Sequence, residues 1–258
     1  MDLGLRDRVY LVTGASRGLG RATAETLVGE GARVVVSSRD AEAVARAANA
    51  LGTAHAIGLA ADNADPASAV RLVATAFAKW GRLDGALISV GGPPAGSALD
   101  VDDGTWRDAF EAVFLGALRM VRAIVSATER SRSLADPVSV ALVLSTSARE
   151  PIPGLGVSNG LRPGLAMVAK NLADELGPRG VRVNGLMPGR IETERVRELD
   201  ALADDPEALR RERETGIPLR RYGRPEEFGR VAAFVLSPAA SYLTGAMVPV
   251  DGGATCSP

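Results

Sequence analysis

A single cysteine, Cys256, and a single histidine, His55, leave the chain without the Cys/His set that a metal site would need. Cys256 lies in the C-terminal tail and reads as an incidental surface thiol; His55 reads as a strand-end residue with no chemical role. An excess of one charge sign is also missing, since the formal net charge is −1, which gives no electrostatic basis for a nucleic-acid partner. No apolar run approaches the roughly 20 residues of a membrane span, and the start Met1-Asp2-Leu3-Gly4-Leu5-Arg6 lacks the apolar core of a secretory signal. Internal repeats, low-complexity tracts and linkers are absent as well. The expectation is a soluble, cytoplasmic protein with one domain over residues 1–258, whose 46% hydrophobic content suffices for one large core.

What the chain has is alternation. The stretch Val9-Tyr10-Leu11-Val12-Thr13-Gly14-Ala15-Ser16-Arg17-Gly18-Leu19-Gly20 runs from an apolar strand through a polar turn into a segment, Arg21 to Glu30, with apolar residues at helical spacing. A turn leaving a buried strand often needs φ > 0, and a phosphate approaches a backbone only where no Cβ intervenes; Gly14, Gly18 and Gly20 suit these roles. The following helix would aim its unpaired N–H groups and positive dipole end at a diphosphate. Ala32 to Ser38 then supplies the second strand of a βαβ unit.

The pattern continues with a helix over Asp40–Leu51, a strand over His55–Ala60, a helix over Pro66–Trp80 and a strand over Asp84–Ser89. A long helix is predicted over Trp106–Thr128, and its wide apolar stripe suits burial against both a sheet and a second subunit. Next come a strand over Val138–Leu144, a helix over Leu165–Leu176, a strand over Val181–Leu186, a helix over Pro225–Leu236 and a closing strand over Met247–Val250. The charged stretch Arg190–Arg213 reads as a mobile helical insertion. Strands alternating with helices predict a doubly wound parallel sheet, with the ligand crevice at the carboxyl ends of its strands.

These motifs together resemble the short-chain dehydrogenase/reductase family over nearly the whole chain, and in particular its 3-oxoacyl-carrier-protein reductase branch. The family's TGxxxGxG turn matches Thr13 to Gly20, its aspartate after the third strand matches Asp62, and its Pro-Gly turn after the sixth strand matches Pro188-Gly189. Tyr242-Leu243-Thr244-Gly245 and Val250-Asp251-Gly252-Gly253 also resemble the family. The resemblance implies a Rossmann-type fold and a dinucleotide held by Thr13, Gly14, Ser16, Arg17, Gly18, Leu19, Gly20, Ser38, Arg39, Asp62, Asn63, Gly91, Pro188, Gly189, Ile191 and Thr193. It also implies a substrate lid over about residues 190–223 and a homodimer or homotetramer. NAD-dependent relatives place a carboxylate at the end of the second strand. Here that position is Ser38, followed by Arg39, and Arg17 lies in the glycine turn, so the cofactor expected is NADP(H), its 2′-phosphate taken by guanidinium.

The catalytic stretch departs from the family. In its register the Tyr-x-x-x-Lys pair falls on Ser158 and Arg162, the helix asparagine on Val113, and the Asn-Asn-Ala-Gly motif on Ile88-Ser89-Val90-Gly91; the family serine is retained as Ser145. A serine hydroxyl is a far weaker acid than a tyrosine, an arginine does not release its proton, and Tyr10, Tyr222 and Tyr242 all lie far along the chain from this helix start. Pro163, Gly160 and Gly164 argue against a helical turn there; a helix beginning at Pro163 would leave 159–162 as a loop and keep Ser158 and Arg162 apart. Two functions fit. One is an atypical NADP(H)-dependent oxidoreductase acting on a carbonyl or hydroxyl substrate with Ser145, Ser158 and Arg162 as its catalytic set. The other is a catalytically impaired dinucleotide-binding or assembly subunit; the residual alternative is different chemistry on the same cofactor or on none, such as an isomerisation or a lyase step. The arginines of 190–223, including Arg220 and Arg221, suit either an anionic or carrier-bound substrate or a solvated helix face.

Overall fold

Short runs of Val, Leu, Ile and Ala without polar alternation form strands covered on both faces. In a computed structural model, which describes residues 1–129 and 137–256, these are β1 (Val9–Val12), β2 (Arg33–Ser38), β3 (Ala56–Ala60), β4 (Gly85–Ile88), β5 (Val138–Val143), β6 (Val181–Pro188) and β7 (Met247–Val250). They make one seven-stranded sheet in the order β3-β2-β1-β4-β5-β6-β7, and every pairing is parallel. The direction of strand addition reverses between β1 and β4, which opens a crevice at their carboxyl ends.

Helices cover both faces. Tyr10 and Val12 of β1 pack with Leu27 of α1 (Gly18–Gly29), Val44 of α2 (Ala41–Leu51) and Phe228 of α9 (Pro225–Leu236). Val9 and Leu11 point the other way, toward Leu72 of α3 (Pro66–Trp80), Ile124 of α5 (Gly116–Glu129) and Leu165 of α6 (Gly156–Leu176). Alternate residues of one short strand therefore serve two cores, as period-two side-chain geometry requires. Arg182 of β6 reaches through the second layer and donates to the carbonyls of Val235, Ser237 and Leu243, satisfying acceptors at and beyond the end of α9.

Two expectations are corrected. The long helix starts earlier, as α4 (Asp103–Ala109), and passes through a π-helical turn, Phe110–Leu115, before α5. No residue pattern announces a π turn, because it is set by what packs around it. The helix expected from Leu165 begins nine residues sooner, at Gly156, and runs through Pro163 without a break. Packing overrides propensity here: a Cβ at Gly156 would lie 2.5 Å from the Ala98 nitrogen, one at Gly160 2.7 Å from the Trp106 ring, and one at Gly164 3.3 Å from Phe114. The glycines that weaken the helix in isolation are what let α4 and the π turn approach it. Pro163 itself lies on the exposed side of the helix, where its ring removes the N–H that would bond the Asn159 carbonyl.

The charged stretch Arg190–Arg213 is helical, as its composition predicts. It folds as α7 (Glu194–Asp200) and α8 (Pro206–Gly216) around the buried Asp200, whose carboxylate accepts from Arg190 (3.3 Å), the Tyr222 hydroxyl (3.0 Å) and Arg213. Its other arginines are likewise committed. Arg210 pairs with Glu192 and Glu214, and Arg221 forms a two-pronged bond with Glu227 at 2.7 and 2.8 Å.

Candidate active site

The glycine turn is built by one threonine and three glycines. Thr13, fully buried at the end of β1, donates its hydroxyl to the carbonyl of Ser89 (2.6 Å) and accepts from the Ser89 N–H (2.8 Å). A single side chain thereby fixes the ends of β1 and β4 to each other across the switch point. Gly14 and Gly18 have φ of 60° and 59°, and a Cβ on Gly14 would lie 2.9 Å from the Ser89 carbonyl oxygen. Gly20 sits against the turn itself, where a Cβ would be 2.5 Å from the Gly14 oxygen. Ser16 and Leu19 are half-buried along the same turn.

Electrostatics point the same way. Asp40, Asp65, Asp102, Thr193 and Asp205 each accept a first-turn N–H of α2, α3, α4, α7 and α8, respectively. Helix α1 has no such cap and no acidic residue in its first turn. Its N–H groups and dipole are left for an external acceptor, which is the arrangement that favours an anion.

The other expected cofactor positions gather on the same rim, each just beyond a strand end. Ser38 closes β2 and donates its hydroxyl to the Asp40 carbonyl, with the exposed Arg39 beside it. Asp62 and Asn63 follow β3; Asp62 accepts from the Ala64 N–H, and the Asn63 amide reaches Thr13 Oγ1 at 3.4 Å. Gly91 is exposed beyond β4. Pro188 ends β6, and Gly189, buried Ile191 and buried Thr193 follow it, with the Thr193 methyl 3.5 Å from where a Gly18 Cβ would stand. Arg17 holds a partner that no sequence pattern announces: its Nη1 lies 2.9 Å from Oε1 of Glu198 on α7.

The candidate catalytic residues converge because α6 is helical from Gly156. Ser158 and Arg162, one turn apart, are both buried, at 6% and 4% exposure. The Ser158 hydroxyl shares a 2.9 Å hydrogen bond with that of Ser147, a residue missed at the sequence level because only its proximity to Ser145 in the Ser-Thr-Ser run marked it. Ser145 is half-buried and accepts from the Ser147 N–H at 3.1 Å, which leaves its hydroxyl hydrogen free to donate outward. Arg162 donates to the carbonyl of Val143, the last residue of β5, and its buried Nε has no partner. No carboxylate lies within ion-pair distance of it among the described residues. Burial alone pushes its pKa down, to about 10, so it remains a cation at neutral pH.

Val113 lies inside the π turn and belongs to the core. The tyrosines stay away from this site. Tyr10 is buried beneath the other layer, its hydroxyl held well above the ordinary range by desolvation. Tyr222 is bonded to Asp200, and Tyr242 is fully exposed. Among the described residues no Cys, His, Asp and Glu group is placed to hold a metal, and no helix is long and apolar enough to cross a membrane.

A family described as enoyl-(acyl carrier protein) reductase matches residues 14–255. Dehydrogenase/reductase SDR family member 4 from Homo sapiens is 36% identical over 259 residues, covering 96% of this chain and 88% of its own. The chain belongs to the short-chain dehydrogenase/reductase family. Solved structures of this family superpose over its whole length. L-sorbose reductase from Gluconobacter frateurii, complexed with NADPH and L-sorbose, matches with a TM-score of 0.91 at 26% identity and covers 100% of both chains. A 3-ketoacyl-(acyl-carrier-protein) reductase from Brucella melitensis complexed with NADH gives 0.88 at 29% identity, over 97% of this chain and 99% of that one. This short-chain dehydrogenase/reductase thus combines the seven-stranded parallel sheet with the glycine turn at its switch point.

Proposed function

We propose that the chain is an NADP(H)-dependent oxidoreductase acting on a carbonyl or hydroxyl substrate, with Ser145, Ser158 and Arg162 as its catalytic set and about residues 190–223 as its substrate lid. The observation that carries the reading is Arg162: a buried guanidinium with no carboxylate partner among the described residues, at the carboxyl end of β5, suits a reaction in which negative charge develops beside it. The glycine cradle supports the cofactor assignment, because Cβ atoms at Gly14 and Gly20 would fill it and α1 opens toward it uncapped. The diphosphate would lie on 13–20, the adenosine end against Ser38, Arg39, Asp62 and Asn63, and the nicotinamide end between Gly91 and Pro188, Gly189, Ile191 and Thr193. The NADPH-bound sorbose reductase adds weight to the 2′-phosphate reading that Arg17 and Arg39 suggest.

NADPH when bound supplies a hydride to the carbonyl carbon, and one proton must reach the carbonyl oxygen to give the alcohol. Ser145 donates a hydrogen bond to that oxygen and orients it. Arg162 keeps its own protons and lowers the energy of the developing alkoxide through its charge. The Ser147–Ser158 hydroxyl pair offers a path by which a water proton is passed inward, each hydroxyl giving one proton as it takes another.

The test is NADPH oxidation against a broad panel of ketones, aldehydes and 3-oxoacyl thioesters. Turnover that falls by about 100-fold or more in Arg162→Gln supports the reading; cofactor binding with no turnover on any member of the panel overturns it. That second outcome would favour the impaired-subunit reading, for which Val113 in the core and the mutually satisfied Ser147 and Ser158 speak. For either function we propose a homodimer or homotetramer through α5 and α6, where Leu118, Val121, Val125, Leu172 and Leu176 line an open groove.

A further inference from the structure

We propose that Glu198 competes with the cofactor's 2′-phosphate for Arg17, so that the α7 segment is a latch which NADP(H) releases and NAD(H) does not. This rests on the reading of Arg17 as a 2′-phosphate partner. Two contacts staple α7 across the rim of the crevice. At one end Glu198 holds the Arg17 guanidinium at 2.9 Å, beside the packing of Thr193 on Gly18. At the other, Arg195 donates to the carbonyl of Pro93, in the loop after β4, at 2.9 Å. Arg195 also stands 3.9 Å from Glu198, so the carboxylate has a second cation to fall back on when Arg17 leaves it.

The strengths are matched for exchange. Arg17 and Glu198 are 57% and 49% exposed, and a pair so placed holds by a factor of only about 1.5 to 5. A phosphate carrying close to two charges and accepting both prongs of the guanidinium outbids one carboxylate oxygen at that strength. A ribose hydroxyl at the same place brings no charge and leaves the pair intact. Arg39 forms no ion pair among the described residues, so it can receive the phosphate without any contact being broken. The cost of the latch therefore falls on NADP(H) alone and is partial.

The experiment is equilibrium binding of NADPH and NADH to the full chain and to Glu198→Gln, Glu198→Ala and Arg17→Gln. Both Glu198 variants should bind NADPH about two- to five-fold more tightly and NADH unchanged. Arg17→Gln should weaken NADPH by about ten-fold while NADH stays within two-fold. An equal change for both cofactors, or none for NADPH, in the Glu198 variants overturns the competition while leaving the Arg17 assignment standing. An Arg17→Gln protein that binds NADPH normally overturns both. Two Glu198 variants guard against a local folding defect, which would move both cofactors together.

Discussion

Replacing Arg162 by methionine should stabilise the ligand-free protein while removing its activity. The side chain is fully enclosed, and burial lowers its pKa to about 10, which corresponds to about 3 kcal/mol lost in keeping the charge inside. Methionine keeps an unbranched apolar stem in the same space but strands the Val143 carbonyl, which returns about 1 kcal/mol. The balance, about 2 kcal/mol, raises the unfolding midpoint by about 4–8 °C in a domain of this size. Scanning calorimetry on the ligand-free wild type, Arg162→Met and Arg162→Lys measures it. The sign with pH is fixed as well. The native guanidinium releases its proton more readily than the unfolded one, so the wild type recovers stability as pH rises above about 10 and the gap to the methionine variant closes. A midpoint that falls in Arg162→Met at neutral pH would refute the reasoning, because it would mean that the cation is already compensated inside the protein.

Thr13→Val removes both bonds to the Ser89 backbone and should cost about 2 kcal/mol by denaturant titration, with dinucleotide affinity falling in parallel. Gly14→Ala should abolish dinucleotide binding by calorimetric titration, since it combines a φ of 60° with a Cβ 2.9 Å from the Ser89 oxygen. Asp200→Asn should loosen α7 and α8 ahead of global unfolding, seen as faster amide exchange over residues 190–216, because Arg190 and Arg213 lose the charge they share and one of the two acceptor oxygens becomes a donor. Glu227 has its pKa lowered to about 2 by the Arg221 hydrogen bonds and by the Arg224 N–H, so its contribution is complete above about 4.5 and lost as pH falls toward 2. Being partly exposed it amounts to about 1 kcal/mol, and Glu227→Gln should flatten the acid limb of the stability curve by that amount.

The strands and the glycine turn were legible because their causes are local: β-branched runs, positive-φ glycines and their order along the chain fall within a residue or two of the observed ends. The start of α6 was not. Gly160 and Pro163 carry a true helix penalty, and only Trp106, some fifty residues upstream, explains why it is overcome. The cofactor residues could be placed by strand order, whereas the Arg17–Glu198 pair could not, since residues 181 apart in sequence meet only after the sheet closes. Arg162 lay between the two cases. Its register was visible, but its isolation from the carboxylates of the described residues is a property of the folded interior.

Arg182 has a consequence for how the chain is made. Its guanidinium sits on β6, yet the three carbonyls that receive it belong to residues 235, 237 and 243, which are synthesised more than about fifty residues later. Until they emerge, the sixth strand cannot be laid down without stranding a buried cation. The sixth strand is thus secured only after residue 243 has been made, and a chain cut before position 235 is left unfinished at the centre of its sheet.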